Sequence, residues 1–312
     1  MRARAAALLA LASLVLGACG VGAEDPKDGS ATLTVTRDFG AKRLLAARED
    51  PIPGGETVIR ALSRKADVET RYGGRFVNAI EGTRSAGEGG LRRDWFYFVN
   101  GIEADKGAAE QEVYAGDRIW WDYRDWSAAM RVPAVVGSFP EPFVHGLEGK
   151  RFPVRLDCAS DAQDQCDAVR DRLEAAGIET AIAALGTGAG KNLLRVVVGE
   201  WGDVRVDAAV NELEDGPQKS GVFARPRSAG GRYELELLDE RGRPAGVLGA
   251  GAGIVAATRF EEQQPTWVVS GTDEAGLDRA VELVDRAALR DRFAVVTSGA
   301  GSQPLPVTGA GR

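Results

Sequence analysis

The chain has one histidine, His145, among 312 residues, so a His-based metal site or a Ser-His-Asp triad is hard to assemble. His145 lies in Glu141-Pro142-Phe143-Val144-His145-Gly146 and reads as a connector residue held by one hydrogen bond rather than a catalytic base. No catalytic residue is assigned, and the protein is expected not to be an enzyme. Positive charge is also short: 39 Lys and Arg against 46 Asp and Glu give a net charge of −7, which argues against a phosphate-tracking surface and against nucleic acid as a partner. After the N-terminus no apolar run approaches the roughly 18 to 20 residues of a membrane span. Complete nucleotide motifs are missing. Gly186-Thr187-Gly188-Ala189-Gly190-Lys191-Asn192 lacks the spacing and the Ser or Thr of a phosphate loop, and Gly249 to Ile254 has Ile254 where a dinucleotide turn needs its third glycine. The acids Asp157, Asp161, Asp164 and Asp167 gather at a helix start, where they favour the helix dipole, but form no recognisable calcium loop; no metal site is assigned.

Cysteine is scarce too, and its three positions are informative. Met1-Arg2-Ala3-Arg4 precedes an apolar stretch of 12 residues, Ala5 to Leu16, that ends in Leu16-Gly17-Ala18-Cys19. A basic start, an apolar core and a small-residue site read as a secretory signal over 1–18. The Leu-Gly-Ala-Cys end resembles a bacterial lipobox, which implies lipidation of Cys19 and anchoring of an extracytoplasmic protein to the membrane. A plain signal peptide with an incidental cysteine is the alternative. Without Arg2 and Arg4 the mature chain carries 37 basic against 46 acidic residues, a charge of about −9. Cys158 and Cys166 remain as an even pair in an oxidising compartment, so a disulfide closing a loop of about nine residues is expected. A metal pair with Asp161 and Asp164 is the weaker alternative, because the CxxC spacing is absent.

A length of 312 residues suits two domains. Residues 19–31, rich in Gly and Asp, read as a tether. Over 32–126 the order is strand, helix, then several strands: Thr32 to Thr36 alternates, Thr57 can cap a helix carrying Val58, Ile59, Leu62 and Ala66, and strands follow at Phe76–Gly82, Trp95–Asn100 and Arg118–Tyr123. Pro133, Pro140, Pro142 and the nearby glycines mark 127–150 as a connector. Over 151–298 strands at Phe152–Asp157, Leu193–Val198, Tyr233–Leu238, Trp267–Ser270 and Phe293–Val296 alternate with helices at Asp161–Ala176, at Val204–Leu213 and after Asp273, which suggests an α/β layer. Residues 299–312 read as a flexible tail. Within it Leu305-Pro306-Val307-Thr308-Gly309 resembles a sortase signal, but no hydrophobic stretch follows.

Three motifs in order carry a family resemblance: the Thr57-Val58 helix start, Asp94-Trp95-Phe96-Tyr97-Phe98-Val99-Asn100-Gly101, and Tyr114-Ala115-Gly116-Asp117-Arg118-Ile119-Trp120-Trp121-Asp122-Tyr123. Together they resemble the bacterial domain family related to the C-terminal domain of transcobalamin and intrinsic factor, over about residues 31–126. The resemblance implies a β-grasp-like sheet over one helix, and in the vitamin B12 carriers this domain helps enclose the corrinoid. The expected fold class is therefore α+β followed by α/β: an N-terminal β-grasp-like domain and a C-terminal α/β sandwich domain, for which no family is recognised.

Nine of the 21 aromatics fall within residues 95–126. Strand alternation sets Trp95, Tyr97 and Val99 against Phe96 and Phe98, and Ile119, Trp121 and Tyr123 against Trp120 and Asp122. One face fills the core. The other leaves aromatics that either bind a ligand between the domains or are covered by the second domain or the connector. The candidate ligand-binding set is Trp95, Tyr97, Trp120, Trp121, Tyr123 and Trp126. The expected function is a membrane-anchored, non-catalytic ligand-binding or transporter-accessory lipoprotein, with a cobalamin-like ligand and an importer as the leading associations. A cell-envelope protein–protein interaction module is the alternative.

Overall fold

The computed structural model describes residues 27–72, 76–87, 92–188 and 190–308; the signal segment and Cys19 lie outside the described residues. The first half comprises β1 (Ala31–Arg37), β2 (Lys42–Glu49), α1 (Val58–Ser63), β3 (Val68–Arg71), β4 (Phe76–Ile80), β5 (Thr83–Arg84), β6 (Arg93–Val99), β7 (Ile102–Glu103) and β8 (Arg118–Asp125). Its main sheet has the order β2-β1-β8-β6-β7, with β1 parallel to β8 and the other neighbours antiparallel, while β3, β4 and β5 form a small separate sheet. A hairpin, a helix and a later strand returning to lie parallel beside the first is the β-grasp arrangement. Val58, Ala61 and Leu62 of α1 pack on Leu33, Val35, Trp95, Tyr97, Trp121 and Tyr123, so one face of the sheet and the helix make the first core. Asn100 and Gly101, both with positive φ, form the tight β6–β7 turn that such a dipeptide favours.

The second half comprises β9 (Val154–Cys158), α2 (Gln163–Ala175), β10 (Ala181–Ala184), β11 (Leu194–Glu200), α3 (Trp201–Val204), α4 (Ala208–Asp215), α5 (Pro217–Ser220), β12 (Ala224–Ala229), β13 (Arg232–Leu238), β14 (Pro244–Leu248), β15 (Gly253–Thr258), β16 (Thr266–Gly271), α6 (Glu274–Glu282), α7 (Arg286–Leu289), β17 (Ala294–Ser298) and β18 (Gly301–Leu305). Seven strands align as β10-β9-β11-β16-β15-β17-β18, the first four parallel. Alternating residues of this sheet serve two cores. Val196, Val198, Trp267 and Val269 meet α2 and α6, whereas Val197, Val268, Ile254 and Val296 meet α4 and the β12-β13-β14 sheet. The molecule is thus a β-rich N-terminal unit followed by an α/β sandwich.

Two local expectations change. The helix expected over Val204–Leu213 is broken, because the Asp207 carboxylate caps α4 at the Ala209 and Val210 amides. The tail expected at 299–312 contains β18, which pairs with β17 and buries Leu305; Val307 also donates its amide to the Leu238 carbonyl. Pro304 is compatible with that edge position, where no further ladder is needed. The glycines from 249 form a packed turn, closed by the Ala252 amide on the Gly249 carbonyl, that leads into β15, and Gly253 lies so close to Gly276 that a Cβ would overlap its carbonyl. The Cys158–Cys166 disulfide is present, with the Cα atoms 6.1 Å apart and both residues buried, and it ties the end of β9 to the first turn of α2. Among the described residues no helix is long and apolar enough to cross a membrane.

Candidate functional site

The second face of the β-grasp sheet is built from rungs set by the β1–β8 register: Thr32 beside Arg118, Thr34 beside Trp120, Thr36 beside Asp122. Residues with this parity point away from α1 and toward the second half of the chain. Trp120 is 3% exposed and meets Phe98 at 5.6 Å and Phe293 at 5.3 Å between ring centroids. Phe39, at the tip of the β1–β2 hairpin, fits between Phe223 and Phe293. Asp122 fixes that tip. Its carboxylate is fully buried and accepts from the Thr36 hydroxyl at 2.5 Å and from the Phe39 and Gly40 amides at 3.0 Å; burial raises its pKa against these hydrogen bonds.

The candidate aromatic site is therefore filled by protein. Trp95, Tyr97, Trp121 and Tyr123 belong to the α1 core, and Trp120 belongs to the seam between the halves. Tyr97 stacks on Trp121 at 4.8 Å, and burial pushes its phenol pKa up. Trp126 is half-buried, donates to Asp94 at 3.1 Å and carries Arg92 over its ring at 5.3 Å. Both faces of these strands have a partner layer, and of the candidate aromatics Trp120 also lines one wall of a cleft at the seam.

The connector is part of the packing. Ala128, Ala129, Val132 and Val135 join the seam core, and Arg124 of β8 donates to the carbonyls of Ala129 and Met130. Val136 donates to the Phe293 carbonyl and Asp291 to that of Gly137. Gly137 allows this approach, since a Cβ would run into Trp120 and the Arg292 backbone. His145 sits against Gly116 and shares Glu141 through its amide at 2.9 Å and its Nδ1 at 2.6 Å.

Where the seam is not sealed it leaves a cleft of about 370 Å³. Thr32, Thr34, Arg43 and Arg118 of the first half face Ser138 of the connector and Arg286, Arg290 and Asp291 of the second. An adjoining lobe of about 260 Å³ shares Thr32, Arg118 and Arg286 and adds Arg48, Asp117, Glu141 and His145. Arg43 is bound to Asp291 and Arg48 to Asp50. Arg118 donates to the Phe139 carbonyl at 3.0 Å; its pKa is lowered by burial and by Arg286 and Arg290, and supported by Glu141. Asp117 is pushed up to about 6 by burial, with Glu141 adding to the rise, against hydrogen bonds from the Tyr114 amide and the Asn100 side chain. The sequence marks none of this, because the arginines lie far apart in the chain.

The remaining motifs are accounted for locally. Thr187 and Gly188 of the glycine loop are exposed and give their carbonyls to Arg155. Asp157 is buried between Arg155 and Arg195, each at 2.6 Å. A second cleft opens at the carboxyl ends of β9, β11 and β16 and is lined by Asp161, Glu200, Asp203 and Asp273. Burial and mutual repulsion raise the pKa of Glu200 and Asp203 there. Among the described residues no group of three or more His, Cys, Asp or Glu is placed to hold a metal ion.

Residues 55–125 match the family described as a domain of unknown function, DUF4430. No curated protein matches the chain. A solved structure of a candidate metal-binding protein from Ruminococcus gnavus is 15% identical, covers 31% of this chain and 98% of its own, and has a TM-score of 0.25.

Proposed function

We propose that the protein is an extracytoplasmic lipoprotein, anchored through Cys19, that binds a small ligand in the seam cleft as a non-catalytic carrier or accessory to an importer. The cleft carries this reading: both halves and the connector contribute its walls, and its size falls in the range of sites for small ligands. His145 engages Glu141 and no hydroxyl or thiol among the described residues, so it supports no nucleophile–base pair. The resemblance of the first half to the vitamin B12 carriers' C-terminal domain supports a carrier role and brings cobalamin forward as a ligand. A corrinoid is much larger than the cleft and would require the halves to part.

Two measurements test the proposal. Cys19→Ala should release the protein from the membrane fraction, and mass spectrometry of the mature N-terminus should find an acylated cysteine. Ligands, cobalamin among them, are screened by thermal shift and calorimetry on the native protein and on Ala46→Trp, which places an indole in the cleft from an exposed position on β2. A ligand present at about 100 times its Kd stabilises the folded state by about 2.7 kcal/mol, a readily measured shift. That shift should be lost in Ala46→Trp. Equal stabilisation of both proteins would overturn the cleft as the site.

A further inference from the structure

We infer that the seam cleft is a phosphate site, in which Arg118, Arg286 and Arg290 hold the anion and Thr32, Thr34 and Ser138 complete its hydrogen bonding. This rests on the cleft being the ligand site and adds the chemical class of what it takes.

The molecule is acidic overall, yet this one cleft gathers five arginines along its two lobes. Two of them are committed: Arg43 to Asp291 and Arg48 to Asp50. Arg286 and Arg290, which bracket α7, form no ion pair with a described residue, and both act on Arg118 across the seam as like charges. Glu141 supports the charge of Arg118, and both of its oxygens already accept from His145. Three guanidinium groups are thus drawn together from two halves of the chain, while Glu141 is engaged by His145, Asp291 by Arg43, and the charged form of Asp117 is disfavoured by burial; cations stay in excess until an anion enters.

Geometry then selects the anion. Thr32 and Thr34 alternate on β1 with the buried Leu33, so both lie on the seam face, Thr32 directly beside Arg118. Ser138 approaches from the connector, and Arg286 and Arg290 from the opposite wall. Donors therefore converge from three elements rather than from one plane. A carboxylate offers two oxygens in a plane, which a single guanidinium fork saturates; a phosphate offers three or more oxygens in a tetrahedron and a charge near −2, and so uses donors from several directions. An acidic body around a basic cleft also disfavours bulky polyanions while admitting a small one.

The phosphate can belong to a soluble ester or to the headgroup of an anionic lipid in the membrane that the anchor reaches. Calorimetric titration of the full chain carrying Cys19→Ala, and so lacking the acyl anchor, at low ionic strength with inorganic phosphate, pyrophosphate and citrate tests the class, and cosedimentation of the same protein with phosphatidylglycerol or phosphatidylcholine vesicles tests the source. The comparison protein is Arg286→Ala/Arg290→Ala. Neither residue has an ion pair with a described residue to lose, and removing both relieves the repulsion on Arg118, so the Tm of the ligand-free variant should equal or exceed that of the wild type. Pyrophosphate is expected to bind the wild type saturably, at least tenfold more weakly to the double variant, and more weakly still in 0.5 M salt at a Debye length of about 4 Å. Saturable pyrophosphate binding without vesicle binding assigns a soluble phosphate; variant-sensitive binding to phosphatidylglycerol alone assigns the lipid. Silence toward all phosphates, undiminished binding by the double variant, or tighter binding of citrate than of pyrophosphate would each overturn the inference. A ligand that is lost in Ala46→Trp but indifferent to the arginine pair would preserve the cleft as a ligand site while removing its phosphate assignment.

Discussion

Arg124 holds the connector to the back of the β-grasp sheet. Its fully buried guanidinium donates to Glu103 at 3.0 Å and to the Ala129 carbonyl at 2.8 Å, and lies 3.8 Å over the Phe96 ring centroid. Burial raises the pKa of Glu103, and Arg124 and Arg131 pull it back down. Arg124→Met should therefore cost about 3 to 5 kcal/mol in urea unfolding, because a buried carboxylate loses its main partner, and adding Glu103→Gln should recover part of the loss. Asp117 behaves in the opposite sense to a paired acid. Its pKa of about 6 lies above the ordinary value of 3.8, so its protonated form favours folding. That stabilisation is complete below pH 3.8 and is lost as pH rises through 6, a change of about 3 kcal/mol at 1.36 kcal/mol per unit. Asp117→Asn should remove this fall between pH 4 and 7, measured as the difference between wild-type and variant stability curves. Neither role is written in the local sequence. Ala115-Gly116-Asp117 announces a turn, but Asn100, Glu141 and His145, which set the Asp117 pKa, arrive from other segments.

Elements with their own periodicity are the legible part of the fold. The α1 helix, β6, β8, β9, β11, β16 and α6 stand within a few residues of where apolar spacing and caps put them, since each buries a face that its sequence already marks. Strands that lack such a pattern are missed. β2 reads Lys-Arg-Leu-Leu-Ala-Ala-Arg-Glu, and β18 reads Gly-Ser-Gln-Pro-Leu; both are sheet edges whose extended form comes from a neighbouring strand rather than from their own side chains. The same limit applied to the aromatics: alternation separated Trp120 from Trp121 correctly but could not say that a second layer covers Trp120. Cysteine parity was more informative: with Cys19 set aside, Cys158 and Cys166 remain as an even pair, and the two are bonded. Replacing both Cys158 and Cys166 by alanine should lower stability by about 2 to 3 kcal/mol, by releasing the constraint on a short loop in the unfolded chain. Thiol alkylation of the native protein without reductant should label neither cysteine.

At the scale of the molecule the two halves share a core, and this decides how the protein unfolds and how its cleft keeps its shape. Phe39, Phe98 and Trp120 from the first half surround Phe293 from the second, and Phe223 closes the cluster behind Phe39. Backbone hydrogen bonds from Val136 to Phe293 and from Asp291 to Gly137 run alongside it. Neither half can separate without exposing this cluster, so unfolding should be one transition in which amides of β8 and β16 exchange with equal free energies. Phe293→Ala removes the ring that touches all three partners and should cost about 3 to 5 kcal/mol. It should also split the exchange free energies of β8 and β16, because each half keeps a core of its own beneath α1 or between the long sheet and α2 and α6. The cleft arginines sit on both sides of this seam, so loosening it at Phe293, which backs the cleft residue Trp120, should weaken ligand binding with every cleft arginine left in place. If β8 and β16 still exchange together in Phe293→Ala and ligand affinity is unchanged, the halves are joined elsewhere and the seam core does not set the geometry of the cleft.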